Sequence, residues 1–237
     1  MSIRLKIFVV FVACFAASGV FALDFSINSG SVVDAKTLSV QAKAEELFER
    51  GDYKRAHFIY RHELAPIGDK YAQYMVGFMS LTGLGVKEDP VLACAWYRLA
   101  AERKAPEFVA VRDELMAQFD AVDIDRADEI YLRLRRQYSD VMLRMRLVRG
   151  DYESMIESST GSRMGAPTSP VTIVRPRAGT SMSGDAYYGQ IHRRMQKHLD
   201  HITATLDIEP VNADLAVDEL ADLERKVDAF VALVDDR

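Results

Sequence analysis

The stretch Ala72–Ala101, AQYMVGFMSLTGLGVKEDPVLACAWYRLAA, decides the fold. It reads as one helix, a glycine turn and a second helix. Small residues stand where two helices must approach closely: Ala72 and Gly77 on the first arm, and Ala93, Ala100 and Ala101 on the second. The turn Gly83-Leu84-Gly85-Val86 puts two glycines around one apolar residue. That composition suits positive φ, with Leu84 or Val86 tucked against the helix pair. Asp89-Pro90 follows as an N-cap with proline in the first helical turn. The second helix runs to about Arg103 and buries Ala93, Trp96, Tyr97 and Ala100. All of this is packing, and none of it is chemistry.

Upstream, a helical pattern begins at Thr37. Val40, Ala44, Leu47 and Phe48 share one face, and Gly51 breaks the run. Gly51-Asp52 restarts a helix carrying Tyr53, Ala56, Ile59, Tyr60 and Leu64, closed by Pro66 and Gly68. The first arm of the deciding stretch, from about Lys70 to Leu81, has Tyr71, Met75, Phe78 and Met79 on its apolar side.

Downstream, Lys104-Ala105-Pro106 precedes a helix with Phe108, Val111, Leu115 and Phe119. The periodicity then predicts the longest helix from Ile124 to about Val148, stopped at Gly150. Arg133, Arg135, Arg136, Arg144, Arg146 and Arg149 lie on its outer faces. Ser158–Gly184 is rich in Ser, Thr, Gly and Pro, a linker by composition. It is interrupted by Val171-Thr172-Ile173-Val174, an extended or docking segment. Two more helices follow, one through Tyr188, Ile191, Met195, Leu199, Ile202 and Leu206. The other steps through Leu220, Leu223, Val227, Phe230 and Val234, the spacing of a coiled-coil seam. Pro210 and Asn212 mark the turn between them.

The deciding stretch resembles the Sel1-like repeat, a solenoid relative of the tetratricopeptide repeat. The resemblance is carried by Ala72, Gly77, Gly83-Leu84-Gly85-Val86, Asp89, Ala93, Trp96-Tyr97 and Ala100-Ala101, all in register. Gly51–Ala56 looks like the second helix of a degenerate repeat. Val111–Leu115 through Ala127 looks like a closing unit. Three departures stand out: Ser80 where tyrosine is usual, Lys104 where glycine commonly ends the second helix, and Pro106 where alanine would start another repeat. The resemblance covers about residues 40–148. It implies a scaffold that binds proteins or peptides, with no catalytic residues. Such units stack because one helix pair cannot bury both of its faces.

Composition agrees with a globular protein: 49% hydrophobic and 27% charged residues over 237 positions, enough for one or two cores. Arg4 and Lys6, the uncharged run Ile7–Ala22 and Val20-Phe21-Ala22 before Leu23 read as a secretory signal peptide. Sixteen uncharged residues fall short of the roughly 20 that span a bilayer. Processing at Cys14 into a lipid-anchored form is the less favoured reading, and a periplasmic address is favoured over secretion. Removing Arg4 and Lys6 takes the net charge from −5 to −7, which argues against a nucleic-acid partner. The mature chain keeps only Cys94, between Ala93 and Ala95, so no internal disulfide forms. A buried small hydrophobe is the better reading of it.

Candidate chemistry is sparse. His57 and His62 are five apart, off helical pairing. His198 and His201 are i, i+3 neighbours near Asp200 and His192, a face that could take up a transition metal, although solvated polar positions explain it better. No nucleophile motif or phosphate loop occurs, and no cofactor is implied. Paired carboxylates such as Glu45/Glu46 and Asp113/Glu114 read as helix surface. Arg133, Arg136 and Arg144 are candidate partner-facing residues. Asp207–Arg237 holds ten acidic and three basic residues, and pairing of the arginines with this tail is favoured over lipid binding.

The expectation is an all-α chain. A signal peptide spans 1–22, a flexible leader 23–36, and a short helical-hairpin solenoid 37–150. A linker at 151–185 and a C-terminal helical hairpin at 186–237 complete it. Its expected role is a non-catalytic exported adaptor for an envelope protein or peptide. The alternatives are self-assembly through 213–236, or metal binding by His192, His198 and His201.

Overall fold

The computed structural model describes residues 35–158, 172–175 and 180–233. The signal peptide, nearly all of the leader, residues 159–171 and 176–179 of the linker, and Val234 of the seam lie outside the described residues. The described chain is helical apart from one β-hairpin. Its helices are α1 (Ala35–Glu49), α2 (Tyr53–Ile59), α3 (Lys70–Thr82), α4 (Pro90–Ala100), α5 (Pro106–Met116), α6 (Ala121–Tyr138), α7 (Asp140–Ser158), α8 (Gly184–Leu206) and α9 (Val217–Val231). Strands β1 (Thr172–Arg175) and β2 (Thr180–Ser183) pair antiparallel, with Ile173 opposite Met182 and Val174 opposite Ser181. The chain divides into two compact units, residues 35–143 with 231–233, and residues 144–230.

The first unit is three helix pairs, α1–α2, α3–α4 and α5–α6, which is the expected short solenoid. Each turn has a local cause. Gly51 adopts φ +79° between α1 and α2. Helix α2 continues through a π turn, Tyr60–Leu64, and a 3-10 turn, Ala65–Ile67, where Pro66 cannot donate a helical hydrogen bond. Gly68 then turns left-handed at φ +81°, and the Asp69 side chain caps α3 by accepting from the Ala72 N–H at 2.9 Å. Gly83 closes α3 at φ +74°, with the Leu84 N–H donating to the Met79 carbonyl at 3.1 Å. Asp89 caps α4 by accepting from the Leu92 N–H at 2.9 Å, with Pro90 first in the helix, as the sequence predicts.

Helix α3 is buried on nearly every side, Lys70 and Gln73 included, because it is apolar all round and has neighbours all round. Phe48 of α1 meets Phe78 at 6.3 Å, Tyr71 meets Tyr60 of the π turn at 6.3 Å, and Tyr74 stacks between Tyr97 of α4 (5.2 Å) and Phe108 of α5 (5.3 Å). Leu84 and Val86 pack half-buried against the same core.

Four sequence expectations need correction. The single helix from Ile124 to Val148 is two. Ser139 takes extended backbone (ψ 151°) between α6 and α7, and its hydroxyl accepts from the Met142 N–H at 3.4 Å. Apolar periodicity passes through this break unaltered; the Ser139-Asp140 cap pair marks it. Gly150 is not a stop, for α7 runs to Ser158, so the linker opens in helix. One glycine costs a helix about 1 kcal/mol, which packing overrides. The leader's last two residues already belong to α1, and α8 begins at Gly184 rather than 186.

In the second unit, the expected hairpin α8–α9 gains a third helix, α7. Met145 and Val148 of α7, Ile191, Met195, Leu199 and Ile202 of α8, and Leu220, Leu223 and Val227 of α9 are all buried. Ser183 caps α8 by accepting from the Ala186 N–H at 3.3 Å. The seam that suggested self-assembly is therefore covered at Leu220, Leu223 and Val227 within one chain.

Candidate functional site

The α3–α4 pair is built around contact distances that only small residues permit. A Cβ on Gly77 would stand 2.8 Å from the Tyr97 ring, so glycine lets α4 close onto α3. A Cβ on Gly85 would stand 2.5 Å from the Tyr53 carbonyl carbon, which ties this turn to the start of α2. Ala72, Ala93, Ala100 and Ala101 are all buried. Trp96 is fully buried, with the Arg61 guanidinium 5.6 Å from its ring centroid and Tyr138 of α6 at 5.5 Å. Lys104, in the glycine position, is left-handed at φ +58°.

A family model described as Sel1 repeat matches residues 70–104. The chain carries a Sel1 repeat at these residues. The match spans α3, its turn, α4 and the short 3-10 turn that ends it. Comparisons with curated proteins and with solved structures return no match. Sel1 repeats generally mediate protein–protein interaction, and the match is consistent with a scaffold.

The Sel1 unit is locked to its neighbours by a buried ionic network that the sequence reading missed. Lys70 Nζ, 1% exposed, lies 2.7 Å from Glu102 Oε2, 3.1 Å from Asp140 Oδ1, 3.1 Å from Gln73 Oε1 and 3.2 Å from the Leu99 carbonyl. Arg103 Nε donates to Asp140 Oδ2 at 2.6 Å, and Glu102 accepts from the Asp140 N–H at 3.0 Å. Burial pushes the Asp140 carboxyl up, but Lys70 and Arg103 outweigh it and hold the group below its usual range. These residues are 29 to 70 positions apart across Lys70, Leu99 and Asp140, and charges flanking helix ends read as solvated. Nothing local signals a pair. Arg98 is likewise missed: it pairs with Asp128 and lies 4.2 Å over the Tyr131 ring.

The three candidate partner-facing arginines do not form one face. Arg133 and Arg136 are exposed on α6, whereas Arg144 belongs to α7 in the other unit. There Arg144 Nη1 lies 3.2 Å from His198 Nδ1. Arg135, expected outside, is buried and donates to the Leu233 carbonyl at 2.5 Å. Pairing of arginine with the acidic tail is present at Arg149 and Glu224, 3.3 Å apart.

The histidine face does not assemble either. His198 is buried against Arg144, and burial followed by that charge lowers it to about 4. His192 turns to Asp214 at 3.0 Å, and His201 is exposed. Among the described residues no group of His, Cys, Asp and Glu is arranged to hold a metal ion. Cys94 is fully buried, and burial pushes its thiol up to about 11, against any nucleophilic role. Among the described residues no helix is long and apolar enough to cross a membrane.

Proposed function

We propose that this chain is a non-catalytic adaptor, exported by its N-terminal signal segment, that binds a protein or peptide of the cell envelope. The Sel1 unit at 70–104 carries this reading, because its motif residues serve packing, turns or helix capping. The Ile7–Ala22 run and the small residues before Leu23 support export.

The test has two arms. Mass spectrometry of the protein made in its own host should find Leu23 as the N-terminus of an envelope fraction. Tagged protein from that fraction should co-purify with one stoichiometric partner, whose purified form rebinds it in calorimetry. An intact Met1 terminus refutes export. Failure to recover any partner, with turnover of a small substrate, refutes the adaptor role.

A further inference from the structure

Helix α2 and the π turn that continues it, Tyr53–Leu64, carry Lys54, Arg55, His57, Arg61 and His62 against one acid, Glu63. The chain as a whole has the opposite sign, at −5. Arg55 is paired with Asp52 at 3.2 Å. Lys54 and Arg61 make no ion pair among the described residues. Glu63 directly follows His62, and adjacent helical residues do not share a stripe. Burial, then the Arg61 and His62 charges, lower the His57 imidazole to about 4, so it is neutral at pH 7.

The same face carries an open aromatic pair. Phe58 is 57% exposed, the only aromatic side chain so open among the described residues, and the exposed His62 ring lies 4.8 Å from it. Lys54, Phe58 and His62 succeed one another at four-residue steps, and Arg61 stands three from Phe58. Cations and ring therefore share one side of the helix, and the Phe58–His62 contact carries that side into the π turn. Arg61 is half-buried, with its guanidinium 5.6 Å from the Trp96 ring centroid. That contact restrains a flexible side chain before anything binds it, which reduces the entropy lost on binding. A solvated helix face interleaves both signs and hides its aromatics; this one does neither.

We propose that the outer face of α2 and its π turn receives an acidic helical segment of the protein partner, with one carboxylate at Lys54, a second at Arg61 and an apolar side chain between them on the Phe58 ring. The inference rests on the adaptor reading and specifies the partner's chemistry. Charge complementarity selects the occupant. Two cations without an acid partner stand on a chain of opposite net charge, so an anionic segment is drawn to this face and repelled elsewhere. The Arg61 fork suits a carboxylate bidentately, and Phe58 offers apolar area at the centre of the contact. Lys54 and Arg61 are seven residues apart, about 10 Å along the axis, so carboxylates two turns apart on a helix laid alongside meet both.

The probe is a fluorescein-labelled, alanine-based helical peptide with two glutamates seven residues apart and a leucine midway. It is titrated into the full chain at low salt and followed by anisotropy. Lys54→Gln with Arg61→Gln should weaken binding about tenfold, and Phe58→Ala about fivefold. Arg55→Gln, whose cation is already paired, should change it less than twofold. Lys54 and Phe58 are exposed, so Lys54→Gln and Phe58→Ala should leave Tm unchanged, which separates lost binding from lost folding. Equal losses from Arg55→Gln and from the Lys54/Arg61 pair mean undirected charge attraction and overturn the proposal. Phe58→Ala binding like the unaltered protein also overturns it, as does a probe that fails to bind. Phosphatidylglycerol vesicles that bind the full chain and lose it in the same variants assign the face to a membrane and overturn the peptide site. A native partner that binds the Lys54/Arg61 variant undiminished overturns this site while leaving the adaptor reading standing.

Discussion

The α1–α2 and α3–α4 pairs share one plan and differ in how tightly their turns are held. Both turns use glycine at nearly the same positive φ, +79° at Gly51 and +74° at Gly85. Around Gly51 there is open space, whereas Gly85 lies against the backbone of Tyr53 and Lys54. The second pair is the hub onto which α1, α2, α5 and α6 pack, and it is buried on both arms. The first pair keeps a charged outer stripe. Recognisable sequence therefore marks the hub, and the less conforming neighbour keeps charged side chains that are not all committed to packing.

Substitutions at the two turns should separate these roles. Gly85→Ala combines left-handed strain with a backbone clash that no side-chain rotation relieves. It should cost about 3 kcal/mol or more in urea unfolding, enough to threaten folding. A loss under 1 kcal/mol would show that the two turns are equivalent. Lys70→Met should cost about 3 kcal/mol by stranding Glu102 and Asp140 in a buried site. The pH dependence follows from the same group. Asp140 is depressed in the folded state, so its contribution is present above the unfolded carboxylate value of about 4 and lost as pH falls below it. Asp140→Asn should flatten that acid limb of the stability curve.

Gly51→Ala is the matched control for Gly85→Ala. With positive φ but no neighbour within reach, it should cost only about 1 kcal/mol. The smallest effect has the opposite sign. Lys104 holds left-handed backbone at an exposed helix end, and Lys104→Gly should stabilise by about 0.5–1 kcal/mol, read as a higher midpoint with an unchanged slope. If it destabilises instead, the lysine side chain has a role beyond ending the helix.

The solenoid was legible because its cues are local. The Asp89-Pro90 cap, the positive-φ glycines Gly83 and Gly85, and small Gly77 at a close helix approach are all cued within one stretch, and the structure has each of these features. The interruption at Ser139 was overlooked because apolar spacing continues across it, although a capping pair stands in the sequence. The arginine face failed for a related reason: one assumed helix put Arg133, Arg136 and Arg144 together, and two helices part them.

What the sequence by itself determined is the repeat, since its register demands small residues and caps at set positions in a single stretch. What only the tertiary structure decided is which charges are buried and with whom. Lys70 meets Asp140 across seventy residues, the seam of α9 is covered inside its own chain, and the buried Tyr60 hydroxyl is left without a hydrogen-bond partner. These pairings depend on how separate helices stack, and hydrophobic periodicity records a helix's buried side without naming the neighbour that buries it.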